Sequence, residues 1–326
     1  MTIRAAILGF GTVGQGVHDI LFEKQQELAK LAGDQIEVCG VLVQNLEKPR
    51  PIKEHLFVTD HFEDILSLKP DIVFEATVGE EPSFTYLSQA IARGIHIVTA
   101  NKVMFAAYGP SLLAQANSHV GIGYEATTAA GTPIIGLISK LMQVNQITGV
   151  EAILNGTSNY ILTAMQSEGK PFSRALQEAQ ERGYAEADPS NDIEGDDAFY
   201  KLMILSHLLY NRQPDWETVP CEGISSLTAK EIEKAKRNGE KIRHVAALSF
   251  NNGSLTASVK PVALPSSHCL YSIEGVDNAV TVTSDLAGSV TLRGPGAGKR
   301  PTASAMIEDA VHILQNNPAR RPQLSQ

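Results

Sequence analysis

The sequence is short of cysteine, of positive charge and of long apolar runs, and each shortage excludes something. Its three cysteines, Cys39, Cys221 and Cys269, stand far apart and form no CxxC pair. Neither a zinc site nor a disulfide framework is indicated, and buried free thiols are the expectation. Lysine and arginine number 27 against 36 aspartates and glutamates, a formal net charge of -9. Nonspecific binding to nucleic acid or to an anionic membrane needs a positive surface, so neither is expected as a partner. A polyanionic ligand would need a local source of positive potential. No apolar stretch reaches the roughly 18 residues of a membrane helix. Met1 to Leu8 enters a strand pattern without the basic and apolar regions of a secretory signal. A reducing, cytoplasmic setting is expected, in which the sequons at Asn155 and Asn252 carry no sugar. Internal repeats and low-complexity tracts are missing as well.

What is present is a chain of 326 residues, 43% hydrophobic and 19% charged, long enough for two domains with a core each. Ile3 to Leu8 reads as a buried strand and runs into Gly9-Phe10-Gly11-Thr12-Val13-Gly14, ahead of a helix pattern reaching about Leu31. This is the GxGxxG turn in its required context of strand, glycines and helix. Gly9 permits the tight turn, Gly11 lets backbone approach a pyrophosphate, and Gly14 lets helix and strand pack closely. The helix N-terminus then supplies the positive end that an acidic protein otherwise lacks.

Strands at Ile36 to Val43, Leu56 to Val58, Asp71 to Ala76, Ile95 to Thr99 and Val120 to Tyr124 alternate with helices near Phe62 to Leu68, Pro82 to Arg93 and Met104 to Ser118. That alternation predicts an α/β, Rossmann-type doubly wound parallel sheet, whose ligands gather at the carboxyl ends of its strands. Those ends are Gln44-Asn45, Thr77-Val78-Gly79 and Thr99-Ala100-Asn101-Lys102. The second strand ends in Gln44 rather than an acid, with Lys48, Arg50 and Lys53 beyond it. An uncharged residue leaves room for a 2'-phosphate, which favours NADP over NAD, although the same cations also suit a solvated loop.

After Tyr124 the chain turns to small residues, Glu125 to Pro133, and a second domain is expected from there. Helices are predicted near Ile134 to Met142, Tyr160 to Ser167, Ser173 to Arg182, Asp196 to Asn211 and Thr228 to Asn238. Strands are predicted at Gly149 to Leu154, Val245 to Phe250, Ser254 to Val259, Leu270 to Glu274, Ala279 to Thr283 and Gly288 to Leu292, forming a mixed sheet in an α+β domain. Gly294-Pro-Gly-Ala-Gly298 then opens a helix at Pro301 to Leu314, a phosphate-friendly shape that is equally a plain helix cap.

Between these lies Gly183 to Leu205, GYAEADPSNDIEGDDAFYKLMIL, six acids ahead of one lysine that opens an apolar helix. Read alone it is a solvated acidic cap, with Asp197 and Lys201 as an ordinary i,i+4 pair. A calcium loop fails on spacing, because the acids do not fall on alternate positions with a glutamate at the twelfth.

Together GFGTVG, TANK at 99 to 102, NGTSNYIL at 155 to 162, GYAEADPSNDIEGDDAFYKL at 183 to 202 and GPGAGKRPTASA at 294 to 305 resemble homoserine dehydrogenase, in the right order over nearly the whole chain. The resemblance implies reversible, NAD(P)-dependent hydride transfer between L-aspartate 4-semialdehyde and L-homoserine, a step towards threonine and methionine. It implies a proton-donating Lys201, a second active-site lysine at Lys102, and Asp197 supporting Lys201. Glu186, Asp192, Tyr184 and Thr157 would surround the substrate. Gly9, Gly11, Thr12, Val13, Gly14, Gln44, Thr77, Lys102, Gly296 and Gly298 would contact the cofactor, and Glu125, Thr128, Ala130 and Thr132 a sodium or potassium ion. A homodimer is implied, for which the strand-rich region 243 to 292 is the candidate interface, and the expected domains are 1-125 with 296-326 for the dinucleotide and 126-295 for substrate and dimerisation. Many relatives carry arginine at the position of Gln44 and glycine at that of Ala130. The longer relatives' ACT domain is not expected. Two rival readings are another Rossmann oxidoreductase acting on an amino-acid carbonyl and a catalytically silent NADP-binding sensor.

Overall fold

The computed structural model describes residues 2–51, 56–251 and 253–316. Lys53 and Asn252 lie outside them. The chain divides into two compact units, Met1–Gly131 with Gly298–Gln326, and Thr132–Ala297.

The first unit runs β1 (Ile3–Leu8), α1 (Thr12–Glu23), α2 (Gln25–Ala32), β2 (Ile36–Leu42), β3 (Val58–Thr59), α3 (Phe62–Ser67), β4 (Ile72–Glu75), α4 (Ser83–Ala92), β5 (His96–Thr99), α5 (Lys102–Gln115) and β6 (Ile122–Gly123). Its six strands pair in parallel in the order β3-β2-β1-β4-β5-β6. Every residue of β1 but Arg4 is buried, as a parallel strand covered on both faces requires. The strand order reverses between β1 and β4, the place where such sheets bind ligands.

The expected single helix to Leu31 is two, broken at Lys24, whose φ and ψ are -110 and 23. The change of axis lets Leu28 and Ala32 reach the same core as Val17, Ile20 and Leu21. Periodicity alone reads two helices in one phase as one.

The second unit runs α6 (Ile134–Leu141), β7 (Ile147–Ile153), α7 (Gly156–Glu168), α8 (Phe172–Glu181), α9 (Ser190–Ile193), α10 (Asp196–Tyr210), α11 (Ala229–Arg237), β8 (Glu240–Asn251), β9 (Ser254–Pro265), β10 (Asp277–Ser284) and β11 (Gly288–Pro295). The sheet order is β11-β10-β7-β8-β9. Its strands pair antiparallel, not in the mixed sense expected. Short turns join β8 to β9 and β10 to β11, and a tight turn can only reverse the chain.

The expected strand at Leu270 to Glu274 is instead a run of turns, with Tyr271 N donating to His268 O and Ile273 N to Leu270 O. Leu270 and Ile273, three apart, both point into a core with Ile153, Val245, Leu264 and Ala279. A strand would send residues of that spacing to opposite faces. The thiols also differ from expectation. Cys221 and Cys269 are exposed and Cys39 is half-buried, all three free. Cys221 sits in a loop and Cys269 in the turn segment, so neither position carries a side chain into a core.

The chain then returns to the first unit with α12 (Lys299–Asn316). Its Ala303, Met306, Ile307 and Ala310 share the core of β1 and α1. A Cβ on Gly16 of α1 would lie 2.8 Å from Lys299 O, so glycine sets how closely these helices approach. Lys299 and Arg300 pair with Asp19 and Glu23 of α1. No helix among the described residues is long and apolar enough to cross a membrane.

Candidate active site

In the first unit the glycine turn has the conformation a dinucleotide phosphate needs. Gly9 has φ +86, where side chains other than glycine are strained. A Cβ on Gly14 would lie 2.0 Å from Gly9 O, while one on Gly11 would meet no protein atom within 4 Å. Gly11 is also the N-cap of α1 and offers no side chain to the amides of its first turn. Backbone N–H groups and the positive helix end are thus available to a pyrophosphate, so these residues fit the group. Thr12 opens α1 and is exposed, and Val13 is half-buried behind it.

Gln44 is exposed just past β2. The loop after it folds back on itself, Arg50 Nη1 donating to Asn45 O at 2.6 Å and to Lys48 O at 2.9 Å. Thr77 follows β4, with its backbone N donating to Glu75 Oε1 at 2.9 Å and its hydroxyl bonded to the same oxygen. Lys102 is the first residue of α5, directly after the N-cap Asn101, whose Oδ1 accepts from Met104 N at 3.1 Å. Glu125 is buried and donates its N–H to Asp309 Oδ2 of α12 at 2.8 Å. Burial, with the Glu125 and Glu308 charges adding to it, pushes the Asp309 carboxyl up to about 7. Thr128 and Ala130 are buried nearby in sequence, and Ala130 adopts φ 47, the left-handed conformation that favours glycine. Thr132 is buried where the second unit begins.

In the second unit the acidic stretch folds into a defined hydrogen-bond network. Lys201, on the buried face of α10, donates from Nζ to Leu154 O at 2.6 Å and to Asp197 Oδ2 at 2.7 Å. Asn155, at the N-cap of α7, donates from Nδ2 to Asp197 Oδ2 at 2.8 Å and to Asp192 Oδ1 at 2.7 Å. Its Oδ1 accepts from Ser158 N, capping the helix. Asn278 Nδ2 donates to the same Leu154 carbonyl at 2.9 Å. One ammonium, two carboxylates and two amides are therefore fixed together. Thr157 donates its hydroxyl to Tyr184 O at 2.7 Å. Tyr184 is exposed, its ring 5.0 Å from that of Tyr160. Glu186 is exposed and meets Gln180 through its backbone carbonyl at 3.1 Å. The structure thus brings Asp192, Asp197 and Lys201 together and leaves Glu186 and the Tyr184 ring at the surface. The late glycines answer to packing. A Cβ on Gly296 would lie 2.1 Å from Asn278 Cγ, and one on Gly294 2.3 Å from Thr132 Oγ1. Gly298, at φ +125, precedes α12.

A sequence model described as homoserine dehydrogenase matches residues 133–311, and one described as the homoserine dehydrogenase NAD binding domain matches residues 9–124. The homoserine dehydrogenase of Synechocystis sp. is 42% identical, over all of this chain and 78% of its own length. The crystal structure of a homoserine dehydrogenase from Thiobacillus denitrificans superposes with TM-score 0.92 at 36% identity, covering 99% of this chain and 76% of that one. A hyperthermophilic archaeal homoserine dehydrogenase in complex with NADPH gives TM-score 0.82 at 30% identity, with both chains fully covered.

The chain belongs to the homoserine dehydrogenase family. As a homoserine dehydrogenase it is an NAD(P)-dependent oxidoreductase that interconverts L-aspartate 4-semialdehyde and L-homoserine, and the two rival readings fall.

Two residues of this network, and one buried acid of the first unit, escaped sequence reasoning. Asn155 lies inside the NGTSNYIL motif, and an asparagine directly ahead of a helix pattern is a cap signal that could have placed it at a helix start. Asn278 carries no local signal. It reaches Leu154 because β10 pairs with β7 in the register Ala279↔Ile153. In the first unit Glu75 is a carboxyl ending the otherwise apolar, buried strand Ile72–Glu75, and it receives no role from sequence reasoning.

Proposed function

We propose that Lys201 delivers the proton to the carbonyl oxygen of L-aspartate 4-semialdehyde and recovers it from L-homoserine in reverse. The nicotinamide cofactor supplies or accepts the hydride. Negative charge grows on the carbonyl oxygen as hydride arrives, and an ammonium held at that oxygen both stabilises it and protonates it. The observation that carries this reading is the buried Lys201 ammonium, aimed by Leu154 O and Asp197 Oδ2. Asp197 orients the lysine, and Asp192 and Glu186 receive the substrate's ammonium group beside Tyr184 and Thr157.

The first unit binds the dinucleotide through the Gly9–Gly14 turn, Thr77, Gln44 and Lys102, with Gly296 and Gly298 contributing from the late turn. Lys102 acts beside the nicotinamide as the second active-site cation. NADP is the favoured form, supported by the uncharged Gln44 and by Arg50 folded into the adjoining loop. Glu125 and the carbonyls of Thr128, Ala130 and Thr132 hold a sodium or potassium ion. The second unit binds substrate and forms a homodimer, for which the edge strands β9 and β11 are candidates. The enzyme works in the cytoplasm.

Purified protein given L-homoserine at alkaline pH is expected to generate the near-ultraviolet absorbance of reduced nicotinamide with NADP, and more slowly with NAD. Lys201→Ala is expected to cut turnover by roughly two or more decades while leaving cofactor affinity near normal. Unchanged turnover would transfer the proton-donor role to Lys102.

A further inference from the structure

Glu75 ends β4 and is fully buried. Oε1 accepts from Thr77 N at 2.9 Å and from the Thr77 hydroxyl, and Oε2 accepts from Thr99 Oγ1 at 2.5 Å. Asn101 Nδ2 lies 3.4 Å from Oε1 and donates to Gly79 O at 2.8 Å. The Thr77 hydroxyl is also 2.5 Å from Ser83 Oγ, at the start of α4. A single planar group therefore joins the ends of two neighbouring strands, β4 and β5, to the starts of the helices that follow them.

A carboxyl is an unusual choice for a buried strand end, because burial disfavours its charged form. Burial does push the Glu75 carboxyl's pKa up, while hydrogen bonds from Thr77, Thr99 and Asn101 pull it down. What it provides is two acceptor oxygens on a short stem, one facing each strand. An amide would turn a donor towards one of the two. The same asparagine that meets Glu75 caps α5, whose first residue is Lys102. Thr77 is held at both its N–H and its hydroxyl, and its methyl carbon would lie 3.0 Å from a Cβ added at Gly9.

We propose that Glu75 is a positioning residue, tying the ends of β4 and β5 so that Thr77 and Lys102 meet the nicotinamide cofactor in fixed geometry. This rests on the assignment of Thr77 and Lys102 to cofactor and active site made above. A misplacement of about an ångström in such groups can cost up to roughly a hundredfold in rate.

The test uses the full chain with Glu75→Leu, which keeps bulk without acceptors, and Glu75→Gln, which keeps one acceptor oxygen. Thr99→Val, which removes the Oε2 donor, serves where Glu75→Leu does not fold. Cofactor Kd by titration, kcat, and KM for L-homoserine are measured below the melting range of each variant. Glu75→Leu is expected to weaken cofactor binding and lower kcat by roughly tenfold or more, with KM for L-homoserine within about twofold. Glu75→Gln, with one acceptor oxygen left, should recover only a part of the loss, and Thr99→Val should reproduce a part of it. On a Lys102→Met background, Glu75→Leu should lower kcat much less than it does alone, because the two changes act through one group. Wild-type Kd and kcat in folded Glu75→Leu, or in Thr99→Val where that variant is the one that folds, would overturn the proposal. So would losses that rise equally in KM for L-homoserine and follow the melting temperature. If Lys102→Met alone leaves kcat unchanged, the role given to Lys102 fails, whereas the cofactor Kd of Glu75→Leu still decides the role of Glu75 through Thr77.

Discussion

Lys201 Nζ and Asp197 Oδ2 stand 2.7 Å apart, one turn of α10 between them, with both side chains buried. In water an i,i+4 pair contributes only a few tenths of a kcal/mol. Buried, the pair behaves differently, because removing one member strands the other's charge away from solvent. The geometry on the helix is ordinary, and burial makes it consequential.

Asp197→Ala is therefore expected to destabilise the protein by about 3 kcal/mol or more, on the scale of a broken buried pair. Urea denaturation measures it, and kcat should fall in the same variant because Lys201 loses its orienting acceptor. A denaturation midpoint equal to that of the parent would show that the pair contributes nothing to folding.

Asn155 does two jobs that substitutions can separate. Asn155→Ala removes the cap of α7, costing about 1 kcal/mol, and also the shared donor to Asp192 and Asp197. Asn155→Ser keeps a capping oxygen but loses the amide that reaches both acids. It is expected to recover most of the capping stability without recovering activity, read as a melting temperature above that of Asn155→Ala with a raised KM for L-homoserine. Parental kinetics in Asn155→Ser would refute the shared-donor role.

Asp309 predicts a pH slope whose sign is unambiguous. Its folded pKa, about 7, lies above its ordinary value of 3.8, so the native state holds a proton that the unfolded chain releases. That contribution to stability is complete below about pH 4 and is lost as pH rises to about 7. Chemical denaturation at pH 5 and pH 8 should therefore show the parent losing more stability with rising pH than Asp309→Asn, which cannot ionise. Parallel curves for the two proteins would contradict it.

The loop after β2 gives a prediction about cofactor choice. Gln44→Glu places a carboxylate where the ribose hydroxyls of NAD can be held and a 2'-phosphate is repelled. It is expected to move the ratio of kcat/KM for NADP over NAD towards NAD by roughly tenfold, about the effect of one differential charge contact. Arg50→Ala should shift the ratio in the same direction, through loss of NADP alone. An unchanged ratio in both variants would place the discrimination elsewhere.

Much of this was legible in the sequence, for identifiable reasons. Buried parallel strands are apolar throughout and surface helices are periodic, so β1, β2, β4 and β5 fall within a residue or two of where the pattern puts them. The glycine turn was readable because its constraints are local. Gly9 needs a positive φ and Gly14 has no room for a side chain. Asp197 and Lys201 were a pair on paper because a helix brings every fourth residue round to the same face. The turns at Leu270 to Ile273 were misread because a short apolar run fits a strand as well as a buried loop.

The sequence by itself determined most of the elements, the dinucleotide turn and the local pairings within one helix. Only the tertiary structure decided that the Asp197–Lys201 pair is buried, that Asn155 bridges two acids from 37 and 42 residues away, and that Asn278 shares the Leu154 carbonyl with Lys201. It also decided that Glu75 joins two strand ends. Those contacts depend on strand register and on which helix face meets the sheet, which are set by how the whole core packs and leave no mark on neighbouring residues in the chain.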